Sequence, residues 1–191
     1  MNSGPHIPAF ALPALKSLGD LRDMRPTLVV DNREVQPLIF PRLPVVRGTL
    51  YSGDISIQGL EDLFSIERKG SIEELVSCCT GQRDRFEHEL HRLRGFRFKR
   101  LAVIGSRAEI EFQRYRSRVA PSAVLGTLAA WEIRFDLPTI FFSSREEAAL
   151  QIERWAFYFA RQIVRDANNL LRGCRDSTLS PNNQHITQNI K

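Results

Sequence analysis

Apolar side chains recur along the chain in two rhythms. Short β-type runs at Thr27–Asp31, Thr49–Ser52, Leu63–Ile66, Leu101–Ile104 and Thr139–Phe142 predict strands. Between them the spacing lengthens to that of amphipathic helices. Ser71 followed by Glu74 is a capping-box pattern that opens a helix over Ile72–Cys79, closed at Gly81. Phe86, Leu90 and Leu93 stand at i, i+4 and i+7 and predict a second helix ending at Gly95. Pro121 opens a third through Val124, Leu125, Leu128 and Trp131, and the longest helical pattern runs from about Ser144 to Leu171. Strands mixed with helices predict an α/β fold, a three-layer α/β/α sandwich around a central mixed sheet. The link between Thr49–Ser52 and Leu63–Ile66 contains Gly59 and is too short for a helical crossover, so these two are expected to pair antiparallel.

The ends differ from the middle. Residues 1–24 alternate prolines with scattered apolar residues and read as an arm packed on the body. Residues 25–172 form the single predicted domain. The stretch 173–191 is rich in Ser, Asn and Gln and reads as a tail without fixed structure.

Composition narrows the function classes. The 191 residues are 42% apolar, with no apolar run long enough to cross a bilayer, so no membrane role is expected. Lys plus Arg number 27 against 22 Asp plus Glu, a formal charge of +5, and only four of the basic residues are Lys. Guanidinium groups are always charged and grip phosphate bidentately, which favours nucleic acid as partner. Three cysteines, Cys78, Cys79 and Cys174, support neither a disulfide framework nor a paired zinc motif. The N-terminus lacks a secretory signal. An intracellular protein is expected, cytoplasmic if bacterial or phage-encoded and nuclear if eukaryotic.

Candidate chemistry gathers where the early strands end. Asp31-Asn32-Arg33-Glu34, Gly53-Asp54 and Glu67-Arg68-Lys69 each follow an apolar run. Alternate side chains of a strand share a face, so Glu67 and Lys69 point one way and Arg68 the other. Asp54 on the paired strand would bring its carboxylate beside Glu67. Two close carboxylates raise each other's pKa, and a hard divalent cation with oxygen ligands, Mg²⁺ or Mn²⁺, relieves the repulsion. A lysine on the same face can orient or help deprotonate the attacking water.

Gly-Asp followed some dozen residues later by Glu-x-Lys resembles the PD-(D/E)XK nuclease signature. More narrowly, Val30-Asp31-Asn32-Arg33-Glu34, Gly53-Asp54 and Glu67-Arg68-Lys69 resemble, in order, the three motifs of the XPF family of structure-specific endonucleases. Further elements, among them Gln82-Arg83-Asp84-Arg85-Phe86, Arg100–Gly105 and Leu137-Pro138-Thr139-Ile140, extend the resemblance over roughly Thr27 to Leu171. It implies a restriction-endonuclease-like fold and hydrolysis of branched, flapped or junction DNA that leaves a 5′-phosphate. It also implies metal ligation by Asp54 and Glu67, a catalytic Lys69, and supporting roles for Asp31, Arg33, Glu34 and Arg68. The acidic residue that such proteins carry four positions after the lysine is here Glu73, so the candidate metal ligands are Asp54, Glu67, Asp31 and Glu73. Arg83 and Arg85 are the leading candidates for DNA contact.

Other readings bear on partners. The chain shows neither helix-hairpin-helix elements nor a helicase, so a protein partner supplying substrate specificity is part of the expectation. Trp155, Phe157, Tyr158 and Phe159 spread around the last helix, which suits a homodimer, as the resemblance also implies. The alternative class is a non-catalytic DNA-binding or scaffolding subunit of a larger nuclease complex. His88 and His91 have no evident third ligand and read as a surface pair, and Cys78 and Cys79 as small core residues.

Overall fold

In the computed structural model, residues 25–178 are described. They comprise a body, Arg25–Arg161, and the described part of a second unit, residues 162–178. The expected N-terminal arm lies outside the described residues, as does most of the polar tail.

The body holds six strands: β1 (Leu28–Asp31), β2 (Val45–Gly48), β3 (Ile55–Ile57), β4 (Phe64–Lys69), β5 (Phe98–Ile104) and β6 (Thr139–Phe142). They form one sheet in the order β2-β1-β3-β4-β5-β6. β3 runs antiparallel to both β1 and β4, while β1 with β2, β4 with β5, and β5 with β6 are parallel. The helices are α1 (Ile72–Cys79), α2 (Arg83–Leu93), α3 (Arg107–Glu111), α4 (Pro121–Phe135) and α5 (Arg145–Thr178). The helix α5 continues through Gly173 to Thr178.

The alternation along β5 shows why the sheet carries helices on both faces. Leu101 and Val103 pack with Leu75, Leu90 and Trp131 of α1, α2 and α4. Ala102 points the other way and joins Ile55, Phe64 and Ile66 against Ala148, Ile152 and Ala156 of α5. The result is the expected three-layer α/β/α arrangement with a mixed sheet. Trp155 and Phe159 also pack against this second core, so two of the four α5 aromatics serve the body itself.

One expected strand is absent. Thr49–Ser52 is a bend between β2 and β3, and the partner of β4 is Ile55–Ile57. Leu50 is buried like a strand residue, but its N–H goes to the Asp31 carboxylate at 2.7 Å instead of a neighbouring chain. The missed strand β2 is a sheet edge whose Val45 and Val46 remain partly exposed. The missed helix α3 did carry a signal, because Ser106 and Glu109 form a full capping box.

Gly53 fixes how the chain enters β3. Its φ is 79°, and a Cβ there would lie 2.1 Å from Ser65 Oγ and 3.2 Å from the Ile66 carbonyl. Gly53→Ala is therefore expected to lower stability by about 2–4 kcal/mol through left-handed strain plus the clash. Urea unfolding checks this, and a variant as stable as the parent would contradict the reading. Since Asp54 is the next residue, the variant also displaces a carboxylate of the candidate site.

Candidate active site

The strand β4 delivers three charged side chains to two faces. Glu67 and Lys69 lie on the same face, and the Lys69 Nζ donates to Glu67 Oε1 at 2.8 Å. Arg68, on the opposite face, donates from Nε and Nη2 to Glu34 Oε2 at 3.2 and 2.7 Å. All three side chains are buried. Asp54 sits just before β3, its N–H bonded to the Ile66 carbonyl, and its Oδ2 accepts the Arg68 N–H at 2.7 Å. The β3–β4 pairing thus sets Asp54 beside the Glu67–Lys69 stretch, as the sequence suggested.

Electrostatics follow from this enclosure. Burial first, and the Glu67 charge second, push the Asp54 carboxyl up to about 8, against the pull of the Arg68 amide and Lys69. Glu67 is raised as well, by burial above all, although Lys69 opposes the shift. Burial alone would lower Lys69, yet Glu67 and its other neighbours outweigh it and hold the ammonium above its usual range. Its Nζ also lies 4.5 Å from the centroid of the Phe86 ring. In this arrangement Lys69 is held as a charged donor to Glu67.

Asp31, Arg33 and Glu34 build the adjoining turn. Both Asp31 oxygens are engaged: Oδ1 accepts from the Arg33 N–H and Nε at 2.8 and 2.7 Å, and Oδ2 from Arg33 Nη2 and the Leu50 N–H at 3.0 and 2.7 Å. Burial opposes ionisation here, but the Arg33 and Leu50 hydrogen bonds prevail and bring the carboxyl down to about 2. A depressed carboxylate stabilises the fold fully above its ordinary value near 3.8, and that contribution fades as pH falls toward 2. Because the Arg33 side chain is 70% exposed, solvent screening reduces it to about 1–2 kcal/mol. The stability gap between the parent and Asp31→Asn, followed by urea unfolding, is expected to narrow between pH 4 and 2. A gap independent of pH would contradict this assignment.

The structure separates Glu73 from its neighbour. Glu73 accepts the Arg116 N–H at 3.0 Å and is exposed. Glu74, one helical step round, lines a cavity of about 470 Å³ together with Arg33, Glu34, Asp54, Arg68 and Lys69. Its Oε1 lies 3.8 Å from Lys69 Nζ, and its Oε2 accepts the Gly70 N–H at 2.7 Å. The capping expectation is half met: Ser71 Oγ accepts the Glu74 N–H, while the Glu74 carboxylate serves Gly70. Sequence reasoning had assigned Glu74 only to the cap.

The two candidate DNA-contacting arginines part in the same way. Arg83 pairs with Glu87 at 2.9 Å, and that carboxylate also takes Trp131 Nε1 and Arg134. Arg85 lines a small cavity with Lys69, Glu74, Cys78, Gln82, Phe86 and Glu89, which joins it to the candidate site. Glu89 in that wall was not anticipated. Cys78 and Cys79 are buried, and burial pushes the Cys79 thiol up to about 12, so they are packing residues. His91 lies edge-on to Phe135, and His88 Nδ1 contacts the Asp84 carbonyl.

The donor set can be tested against a divalent cation. Among the described residues no three His, Cys, Asp or Glu side chains converge as a metal-holding group. Mg²⁺ needs fewer, since it keeps several waters and takes one or two carboxylates. Asp54 and Glu67, two buried carboxylates both raised by burial, the first also by the charge of the second, fit such an ion.

Residues 30–154 match the ERCC4 domain family model. Two solved structures of XPF from Aeropyrum pernix are similar in fold. One has 24% identity over 74% of this chain and 69% of that chain, with a TM-score of 0.56. The other, a complex with DNA, has 20% identity over 72% of this chain and 66% of that chain, also with a TM-score of 0.56. No curated protein matches.

Proposed function

The chain belongs to the ERCC4 domain family, a family of nucleases, and on that premise we propose that it is a divalent-metal-dependent endonuclease of branched, flapped or junction DNA. The observation that carries the proposal is the buried pair Asp54 and Glu67 with a charged Lys69 bonded to one of them.

Asp54 and Glu67 would hold Mg²⁺ or Mn²⁺. The bound ion would supply charge neutralisation at the phosphoryl group and a more acidic water for in-line attack. The chain's own residues do the rest. Lys69, kept protonated by its anionic neighbours, donates to a phosphoryl oxygen as negative charge grows there, and its place is set by Glu67, Glu74 and the Phe86 ring. The Arg68–Glu34 pair braces the strand end from behind, so that the Arg68 N–H keeps Asp54 Oδ2 in place. Asp31 and Arg33 close the turn that carries Glu34. Arg85, beside Lys69, meets the DNA backbone. One of the similar XPF structures is a complex with DNA, which supports DNA as substrate.

A homodimer is part of this reading: of the four α5 aromatics that suggest it, Trp155 and Phe159 pack on the body's core, while Phe157 and Tyr158 stay exposed. The testing experiment is a panel of end-labelled duplex, flap, fork, junction and RNA substrates incubated with the full chain and Mn²⁺. Cuts confined to branched DNA are expected. Absence of any metal-dependent cut would leave the scaffolding alternative.

A further inference from the structure

Between α3 and α4 runs a connection, residues 112–120, that the proposed chemistry does not use. Its exposure alternates: Arg114, Arg116 and Arg118 are exposed, while Tyr115, Ser117 and Val119 between them are half-buried. Tyr115 and Val119 pack against the core under α1, α2 and α4, and the Tyr115 hydroxyl donates to the Val119 carbonyl at 2.9 Å. The connection thus has a fixed inner side and an outer side of guanidinium groups. It starts at a built turn, in which the Gln113 N–H donates to the Ile110 carbonyl at 3.0 Å and the Arg114 N–H to the Glu109 carbonyl at 2.8 Å. Gln113 takes a φ of 50° there, a left-handed conformation usually given to glycine. Beside this turn the Phe112 ring is 70% exposed, with Arg114 Cζ 5.7 Å from its centroid.

Charge and position restrict what covers this surface. The neighbouring carboxylates are engaged: Glu111 pairs with Arg107 at 2.8 Å, Glu109 accepts the Ser106 N–H at 2.8 Å, and Glu73 accepts the Arg116 N–H at 3.0 Å. Among the described residues no acceptor takes up the side chains of Arg114, Arg116 or Arg118. Guanidinium groups set side by side without carboxylates suit a partner with repeated anionic oxygens. The Glu73 bond also fixes where the surface lies. It ties the connection to the first turn of α1, and the next residue, Glu74, lines the cavity that holds Asp54 and Lys69. An acidic peptide would use the arginines equally well, but a DNA strand with its phosphate at Lys69 has to leave that cavity past α1.

We infer that residues 112–118 hold the unpaired part of a branched substrate: Arg114, Arg116 and Arg118 grip the backbone leaving the cavity, and Phe112 stacks a free base. The inference rests on the DNA reading above and deepens it by naming a source of branch preference within this chain. Bases of a duplex are already stacked on one another and would have to be pulled out to reach the ring. A flap offers bases without that cost, and stacking accepts any of them.

The test uses the full chain in EDTA, with fluorescence anisotropy on a labelled flapped DNA and on a plain duplex of the same length. Phe112→Ala should weaken the flapped DNA about tenfold and leave the duplex unchanged. Phe112→Trp keeps a ring and should restore the parental affinity. Arg114→Ala, Arg116→Ala and Arg118→Ala together should weaken both DNAs and reduce the slope of log affinity against log salt by about 2–3. Thermal melting of each variant confirms that it is folded. Flap binding indifferent to Phe112→Ala, an equal loss on flap and duplex, or a salt slope unchanged by the triple substitution overturns the inference. Should the parent also cut branched DNA, such a result leaves the nuclease reading standing. The expected losses in a protein that never cuts would support this surface and remove that reading.

Discussion

Asp54→Asn is expected to cut DNA cleavage in Mg²⁺ or Mn²⁺ by more than about 100-fold, since even groups that merely orient metal ligands cost 10–100-fold when removed. Lys69→Ala should lose roughly 10²–10³-fold, the scale of one donor aimed at developing charge. Neither change should weaken DNA binding in EDTA appreciably. With its carboxyl pushed up to about 8, Asp54 is largely protonated when no metal is bound, so a neutral amide there changes the charge of the cavity wall little. Lys69 is buried against Glu67, so its charge is already largely balanced before DNA arrives. Cleavage assays run beside anisotropy in EDTA check both halves. If either variant cut at the parental rate, the roles given to these residues would fall.

The second large effect is on stability. Glu34→Ala leaves the Arg68 guanidinium buried without its carboxylate, and Arg68 Nη1 already has no partner among the described residues. Breaking such a pair from one side costs about 3–5 kcal/mol, a drop of roughly 10 °C in Tm for a chain of this size. Replacing both partners, Glu34→Leu with Arg68→Met, removes the stranded charge and should recover most of the loss. Thermal melting of Glu34→Leu, Arg68→Met and the double variant makes a mutant cycle. Simple addition of the two single losses would show that the residues are not coupled.

The parts of the site that were legible are those fixed by a short repeat. Period-two alternation put Glu67 and Lys69 on one face and Arg68 on the other, and the 2.8 Å Lys69–Glu67 contact and the Arg68–Glu34 pair follow that rule. The Gly59 link correctly implied an antiparallel partner for β4, although the strand it named was displaced to Ile55–Ile57. Leu50 explains the displacement, because its burial imitates a strand while its N–H belongs to Asp31, 19 residues away.

What the sequence hid is long-range pairing of polar groups. The capping pattern marks Glu74 only as a cap partner, yet the helical step turns Glu73 toward the Arg116 amide and Glu74 toward Lys69. Asp31 reads as one carboxylate of a metal cluster, whereas its oxygens are taken up by Arg33 and Leu50. Glu153 looks like an ordinary solvated helix residue until its contacts with Arg42 and Leu43, more than 100 residues earlier, are seen. The helices α1, α2, α4 and α5, by contrast, were readable from apolar spacing, since burial of a stripe needs no knowledge of the partner.

The most direct test of the central claim is isothermal titration of Mn²⁺ into the full chain and into Asp54→Asn at neutral pH. The parent is expected to show saturable binding that the substitution removes, with the variant's thermal stability unimpaired. No saturable heat from the parent, or the same isotherm from both proteins, would contradict the assignment of Asp54 and Glu67 as the seat of a divalent ion.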